Sequence, residues 1–201
     1  MDLIVKFTAL IFAVVIHEVA HGYTAFLLGD PTAKHAHRLT LNPLAHLDIF
    51  GSIILPVVLV LTNNVPFGWA KPVPFNPAYF RDPRRGIMLV GAAGPAINFV
   101  AAVLSAVIFR LVAPLPHLVA GFLVFFCVIN VILGVLNLIP IPPLDGSRVV
   151  LGLLPDDLAR NYLKIEPFGF ILILALLYLG VLDYIVSPIS RFLLGWLLSS
   201  A

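Results

Sequence analysis

The stretch IHEVAHG, residues 16–22, determines how the rest of this chain is interpreted, and it lies within an apolar run over residues 3–28. A helix turns about 100° per residue, so His17 and His21 fall roughly 40° apart on one face and Glu18 falls in the same arc. Two imidazoles and a carboxylate arranged in this way are typical of a zinc hydrolase. Both His side chains bind the metal there, and the Glu side chain handles a proton of the attacking water.

The surroundings of this cluster are unusually apolar. Between Lys6 and Asp30 the chain has no other ionisable side chain. Inserting polar side chains into a membrane helix costs a few kcal/mol each, so ionisable groups in such a span are candidates for function. The stretch therefore predicts a metal site inside a membrane helix.

Composition indicates an integral membrane protein. Of the 201 residues, 61% are hydrophobic and 11% are charged, and the mean hydropathy is +1.07. These values lie far from those of soluble domains. A net charge of +2 excludes a nucleic-acid-binding surface. We expect one membrane-embedded domain over residues 1–201, with a core at about 3–150 and C-terminal helices at about 151–201.

The predicted fold is an all-α polytopic membrane protein with about four full transmembrane helices. Each predicted span is long enough to cross a hydrocarbon core of about 30 Å as a helix. The predicted spans are residues 3–28, 86–112, 118–138 and 168–186.

Three further segments are predicted to differ from full spans. Residues 50–62 reach only about 20 Å as a helix and contain Pro56, which favours a re-entrant or short apolar segment. Residues 188–201 are expected to form an interfacial or partial helix. Residues 29–83 are rich in turn residues and predict a small irregular or β region, with short extended pieces at 38–41 and 73–75.

A site with two His ligands needs a third protein ligand, and Asp145 is the strongest candidate. Three prolines in residues 137–146 end a transmembrane helix while the sequence stays apolar. A carboxylate held in such surroundings requires a cation. Two alternatives stay open: Asp145 caps the helix that begins near Ser147, or His46 or Asp48, which border the apolar segment 50–62, supplies the third ligand.

Three separated motifs resemble the site-2 protease family of intramembrane zinc metalloproteases. They are HEVAH at residues 17–21, GPAIN at 94–98, and NLIP with LDG within residues 137–146. Residues 68–73 are similar to the compact subgroup that lacks PDZ and CBS domains. The resemblance implies cleavage of peptide bonds within or near transmembrane segments of membrane proteins, one Zn²⁺ held by His17, His21 and Asp145, and Glu18 as the base.

Two asparagines are candidates for contacts with the substrate. Asn137 is the first candidate for an oxyanion donor or a contact to the substrate backbone, and Asn98 is the second. Interhelical hydrogen bonding would explain either residue equally well. The irregular region, with residues 73–75 as its test, is also a candidate docking place for an extended substrate strand, and a simple surface loop is an equally open alternative.

Charge distribution predicts the orientation in the membrane. If residues 50–62 do not cross, nine of the twelve Lys and Arg residues share one side, and the positive-inside rule makes that side cytoplasmic. The resemblance likewise implies an active site nearer the cytoplasmic face of a prokaryotic cell membrane. The expected partners are the lipid bilayer and a transmembrane protein substrate, and no nucleic acid.

Two functions of other classes compete with proteolysis. A membrane metal-ion transporter would also place His and Asp side chains in its spans, but it would not need Glu18 between the two His residues. A non-catalytic membrane scaffold would explain the composition but not the convergence of polar side chains.

Overall fold

The fold is known from a computed structural model that describes residues 3–48, 54, 61, 71–112 and 114–198. The predicted apolar segment 50–62, apart from Ile54 and Leu61, and residues 68–70 lie outside the described residues. The helices of the described part are α1 (Leu3–Leu27), α2 (Thr32–His35), α3 (Pro83–Leu111), α4 (His117–Asn137), α5 (Asp145–Leu153), α6 (Asp156–Leu163), α7 (Glu166–Tyr178) and α8 (Val181–Leu198).

Four of these helices, α1, α3, α4 and α8, are long and apolar enough to cross a membrane. Helices α6 and α7 form a pair bent by 63° that would count as a fifth span if it crosses as one unit. The predicted all-α polytopic membrane fold is therefore confirmed, and the protein is an integral membrane protein.

The helices α1 and α3 bury rows of residues spaced four apart. Such rows form the ridges by which helices pack, and small side chains in them let two backbones approach closely. The buried row of α1 is Ala9, Ala13, His17, His21 and Ala25, and that of α3 is Val90, Gly94, Asn98, Ala102 and Ala106. In each row the polar side chains thus lie between small or aliphatic residues on both sides.

An apolar cluster joins α3, α4 and α8 on the far side of this contact. Ala102 and Ala106 of α3 pack with Cys127 and Val131 of α4 and with Leu197 of α8. The Arg110 guanidinium near the end of α3 donates to the carbonyls of Trp196 and Leu197. The C-terminal end of α8 therefore lies beside the C-terminal end of α3.

The predicted fourth span over residues 168–186 is wrong as a single helix. Helix α7 ends at Tyr178, and Gly180 has a φ of +72°, a left-handed conformation that favours glycine. Helix α8 begins directly afterwards and runs 18 residues through Pro188. The predicted interfacial or partial C-terminal helix is therefore part of a full-length apolar helix.

The described part of the connection after α1 contains no strand and, apart from α2 and two 3₁₀ turns, is irregular, as predicted. Its predicted extended pieces at 38–41 and 73–75 are not paired as strands. Instead, residues 71–76, here called the anchored segment, bond to buried side chains. Arg38 donates to the carbonyls of Lys71 and Pro72, and the fully buried Asp30 accepts from the Asn76 N–H at 2.6 Å.

Candidate metal centre

Three buried side chains meet where α1, α3 and α5 come together. The His17 Nε2 and His21 Nε2 atoms lie 3.1 Å apart. The Asp145 Oδ2 atom lies 3.0 Å from the former and 3.2 Å from the latter. All three residues are at most 7% exposed. They form the one group of three potential metal ligands among the described residues.

The other ring nitrogen of each histidine is held by α3. His21 Nδ1 lies 2.7 Å from the Val90 carbonyl oxygen, which only accepts hydrogen bonds, so Nδ1 carries the proton. His17 Nδ1 lies 2.5 Å from Asn98 Oδ1 and donates to it in the same way. In neutral imidazole the lone pair then resides on Nε2, and both Nε2 atoms turn that lone pair towards Asp145.

Three facing acceptors require a cation between them. The buried Asp145 Oδ2 atom has no hydrogen-bond donor, and leaving such an oxygen unsatisfied is costly. Metal–ligand distances of about 2.0–2.1 Å in a tetrahedron place ligand atoms roughly 3.3 Å apart. The observed separations of 3.0–3.2 Å are close to this value. Two imidazole nitrogens and one carboxylate oxygen therefore fit zinc and leave a fourth position open.

Asp145 reaches the site because the backbone around it is tightly packed. It is the first residue of α5, and the residue before it, Leu144, is the N-cap without a side-chain hydrogen bond. A Cβ atom on Gly146 would lie 2.5 Å from the Leu138 carbonyl carbon, so only glycine fits there. The alternative in which the Asp145 side chain caps a helix is wrong, because its carboxylate faces the two histidines.

Gly94 provides the space for both imidazoles. A Cβ atom at this position would lie 2.6 Å from His17 Cε1 and would also overlap the His21 ring. Asn98 follows one helical turn later and meets His17. Two residues of the GPAIN motif therefore shape the site. Gly94 leaves room for both imidazole rings, and Asn98 orients the ring of His17.

Comparison with known proteins identifies the family. The family model described as Peptidase family M50 matches residues 113–179, which include Asp145. The chain is 37% identical over 196 residues to "Putative zinc metalloprotease YwhC" of Bacillus subtilis (strain 168), and the alignment covers 94% of this chain and 83% of that protein. The chain belongs to peptidase family M50.

Other M50 relatives come from mycobacteria. "Putative zinc metalloprotease Rip2" of Mycolicibacterium smegmatis is 30% identical over 207 residues, covering 90% of this chain and 77% of that protein. The protein of the same name from Mycobacterium tuberculosis strain H37Rv is 29% identical over 163 residues, covering 80% and 61%. No solved structure matches the chain significantly. As a member of M50 the protein is a zinc metalloprotease.

Glu18 of the HEVAH stretch lies next to His17 in sequence and is half-buried. Its Oε2 atom accepts a hydrogen bond of 2.9 Å from the backbone N–H of Val73 in the anchored segment. The anchored segment therefore touches the carboxylate that the sequence predicts to be the base.

The alternative third ligand His46 lies outside the cluster. Its Nε2 atom is 2.9 Å from the Thr40 carbonyl oxygen, to which it donates. Asp48 is likewise absent from the group of potential ligands among the described residues.

Asn98, the second predicted oxyanion donor, makes the interhelical hydrogen bonds that would equally explain this residue. Its amide nitrogen donates to Asn130 Oδ1 at 2.7 Å and to the Ala13 carbonyl at 3.3 Å, so both of its N–H bonds are engaged inside the protein. Asn137 is half-buried and donates to the Leu133 carbonyl of its own helix at 3.0 Å. Its contact with a substrate stays a prediction.

Arg148 is a charged residue beside the cluster that the sequence did not single out. Its Nη1 atom lies 3.4 Å from Asp145 Oδ1, the oxygen that does not face the histidines. Its guanidinium carbon lies 5.2 Å from the centre of the Phe75 ring. Its place three residues after Asp145, one turn along a helix, was the available signal.

A cleft of about 270 Å³ opens beside Arg148. The walls come from the anchored segment, from α3, from the proline-rich turn before α5, and from α5 to α7. Its lining includes Phe75, Ile87, Pro142, Arg148, Leu151 and Tyr162. A space of this size, lined mainly by apolar side chains together with Arg148 and Glu166, suits a few residues of polypeptide.

Proposed function

We propose that this chain is an intramembrane zinc metalloprotease that hydrolyses peptide bonds within or near transmembrane segments of membrane proteins. One observation carries the proposal: in the buried cluster of His17, His21 and Asp145, both histidines lie on a helix long enough to cross the membrane.

The depth of the cluster supports cleavage inside the membrane. Helix α1 has 25 residues and is therefore about 37 Å long at 1.5 Å per residue. His17 and His21 precede Leu27 by 27 − 17 = 10 and 27 − 21 = 6 residues, or about 15 Å and 9 Å along the axis. In a hydrocarbon core of about 30 Å both positions lie below the surface.

The cytoplasmic side is the nearer one in this proposal. The Lys71 N–H donates to the His46 carbonyl at 2.9 Å, so the described chain leaves and returns at one place after α1. Nine of the twelve basic residues then share the side on which α1 ends. The positive-inside rule assigns that side to the cytoplasm.

The side chains divide the chemistry among them. His17, His21 and Asp145 would hold the metal, which would supply Lewis-acid chemistry to the attacking water and the scissile carbonyl. Glu18 accepts the proton of the attacking water and returns it to the leaving amine nitrogen. Asn98 and the Val90 carbonyl keep the imidazole protons away from the metal side.

The substrate must be unwound where it is cut, because the carbonyls of a helix are already hydrogen-bonded. The cleft is lined by Arg148, which contacts Asp145. We assign it to a few substrate residues adjacent to the cut bond, with its apolar walls contacting their side chains.

A Glu18→Gln variant tests this function. The glutamine oxygen still accepts from the Val73 N–H, so the fold and zinc content should stay unchanged. Cleavage of a membrane-tethered reporter in proteoliposomes should fall by at least about 100-fold, as expected for the loss of a general base. Zinc content by atomic absorption and cleavage are measured on the same preparation.

Two results contradict the proposal. Reporter cleavage by Glu18→Gln at the parental rate would exclude Glu18 as the base. Zinc flux into vesicles by both proteins, with no proteolysis by the parent, would favour a transporter.

A further inference from the structure

We infer that Asn130, a residue of α4 outside every motif of the chain, is a positioning residue for the metal ligand His17 and acts on it through Asn98. The inference rests on the proposed role of His17 as a zinc ligand. It concerns a chain of hydrogen bonds that runs from α4 through α3 to α1.

Both asparagines are completely buried. Asn98 and Asn130 have 0% exposure, although asparagine is mostly found at protein surfaces. Burying an amide in an apolar interior costs several kcal/mol unless its hydrogen bonds are made. Two adjacent buried amides in a membrane protein therefore need a reason, and their partners supply one.

The direction of every hydrogen bond in this series is fixed by the Phe126 carbonyl at its outer end. The Phe126 carbonyl only accepts, so the amide group that lies 2.8 Å from it must be the Asn130 NH₂. The oxygen of Asn130 then faces Asn98 and accepts from the Asn98 NH₂ at 2.7 Å. As a result, the oxygen of Asn98 faces His17.

The orientation of Asn98 determines the proton of His17. An oxygen 2.5 Å from His17 Nδ1 accepts, so Nδ1 donates and Nε2 keeps its lone pair for the metal. If the amide of Asn98 turned over, its NH₂ group would face Nδ1. His17 would then carry its proton on Nε2, and the ligand atom would be lost.

Of the two groups that accept from the Asn98 NH₂, Asn130 orients Asn98 more strongly. The Ala13 carbonyl also accepts from the Asn98 NH₂, but at 3.3 Å, compared with 2.7 Å for Asn130. The same carbonyl belongs to the helix that carries His17, so it moves with the ligand. Asn130 holds Asn98 from a different helix and fixes it independently of α1.

The test compares zinc affinities of detergent-solubilised full-length protein by competition with a chromophoric chelator. Leucine branches at the same atom as asparagine, so Asn130→Leu removes the hydrogen bonds and keeps the branched outline of the side chain. We expect its zinc affinity to fall roughly tenfold, the lower part of the range for partners of metal ligands. The visible absorption of the Co²⁺-substituted protein should change as well.

A matched control is available on the same pair of helices. The buried Ser105 hydroxyl of α3 donates to the Leu123 carbonyl of α4 at 3.0 Å and does not touch the cluster. Ser105→Ala also removes a buried hydrogen bond between α3 and α4. It should leave the zinc affinity and the Co²⁺ spectrum unchanged.

A double variant separates positioning from general stability. Because Asn130 acts through Asn98, Asn98→Leu combined with Asn130→Leu should bind zinc as weakly as Asn98→Leu alone. If the losses of zinc affinity in the two single variants multiplied in the double variant, the inference would be overturned. An Asn130→Leu zinc affinity equal to that of Ser105→Ala would overturn it as well. If Asn130→Leu does not fold, Asn130→Ser, which is too short to reach Asn98, takes its place with the same expected tenfold loss.

The outcomes also distinguish this inference from the proposed function. Zinc binding by the parent that is lost in His17→Ala, but unchanged in both Asn130 variants, refutes only the role of Asn130. A parent protein whose zinc affinity does not depend on His17 refutes the metal centre itself.

Discussion

The Glu18 carboxylate accepts a hydrogen bond of 2.9 Å from the backbone N–H of Val73. The contact ties the proposed base on α1 to a stretch of chain without regular structure. Val73 is buried, and its side chain fills the space beside Gly22, where a Cβ atom would lie 2.7 Å from Val73 Cγ1. The position of the base therefore depends on how the anchored segment is held.

Asp30→Asn is expected to loosen the anchored segment. The fully buried Asp30 carboxylate accepts from the N–H and hydroxyl of Thr32 through one oxygen and from the Asn76 N–H through the other. An amide turns its NH₂ group towards one of these donors, which costs about 1–3 kcal/mol. The thermal unfolding midpoint in detergent should fall. Asp156→Asn, at a side chain that is 85% exposed, should leave it nearly unchanged, and equal midpoints for both variants would contradict the prediction.

Gly94→Ala is expected to disrupt the metal centre with one methyl group. The new Cβ atom would overlap both imidazoles, so we expect a loss of zinc affinity of roughly 10- to 100-fold or more, at least that of losing a ligand's partner. Zinc bound after dialysis against a buffered zinc concentration is the measurement. Gly195→Ala in α8, where a Cβ atom meets nothing within 4 Å, serves as the control. If Gly94→Ala retained all of its zinc, α1 and α3 would have moved apart without weakening the site, and the prediction would be wrong.

Asp145→Ala is expected to lose zinc to a greater extent. Zinc sites of four ligands bind with about 10–16 kcal/mol, so one ligand accounts for a factor on the order of 100 or more. Both zinc content and reporter cleavage should fall together. His46→Ala removes another buried ring near the end of the described region 3–48 and should retain zinc. If Asp145→Ala retained zinc and His46→Ala lost it, the assignment of Asp145 as the third ligand would be wrong.

Leu151→Trp is expected to block the cleft while the metal stays bound. The indole ring occupies space among Ile87, Pro142 and Tyr162. The KM for a membrane-tethered reporter should therefore rise, roughly tenfold if one substrate side chain loses its pocket. Zinc content should match the parent. Leu158→Trp places the same ring on the exposed side of α6. Unchanged cleavage kinetics in Leu151→Trp would remove this cleft from the substrate path.

The parts of the site that depend on short stretches were predictable from the sequence. The spacing of His17, Glu18 and His21 follows from helix geometry, and a lone acid at a proline-rich helix end indicated Asp145. The roles of Asn98, Asn130 and Arg148 depend on which helices pack together. Helix contacts between residues 32 positions apart, such as those of the two asparagines, leave no periodic pattern in a chain that is apolar on every face.

The errors in the fold have an equally physical cause. Hydropathy does not detect the break at Gly180, because the residues on both sides of it are apolar. The predicted extended pieces failed for another reason. The backbone groups of the anchored segment bond to Arg38, Asp30 and Glu18 rather than to a neighbouring strand, and alternation of side chains carries no information about such partners.

The distance along the chain between the two halves of the cluster has a consequence during synthesis. His17 and His21 leave the ribosome early, and Asp145 follows after 145 − 21 = 124 further residues. At about 5–20 residues per second this interval lasts roughly 6–25 s. During that time the first helix is already in the bilayer beside other nascent proteins, without the third ligand. The order of translation thus delays the onset of proteolysis until the helices have assembled around the histidines.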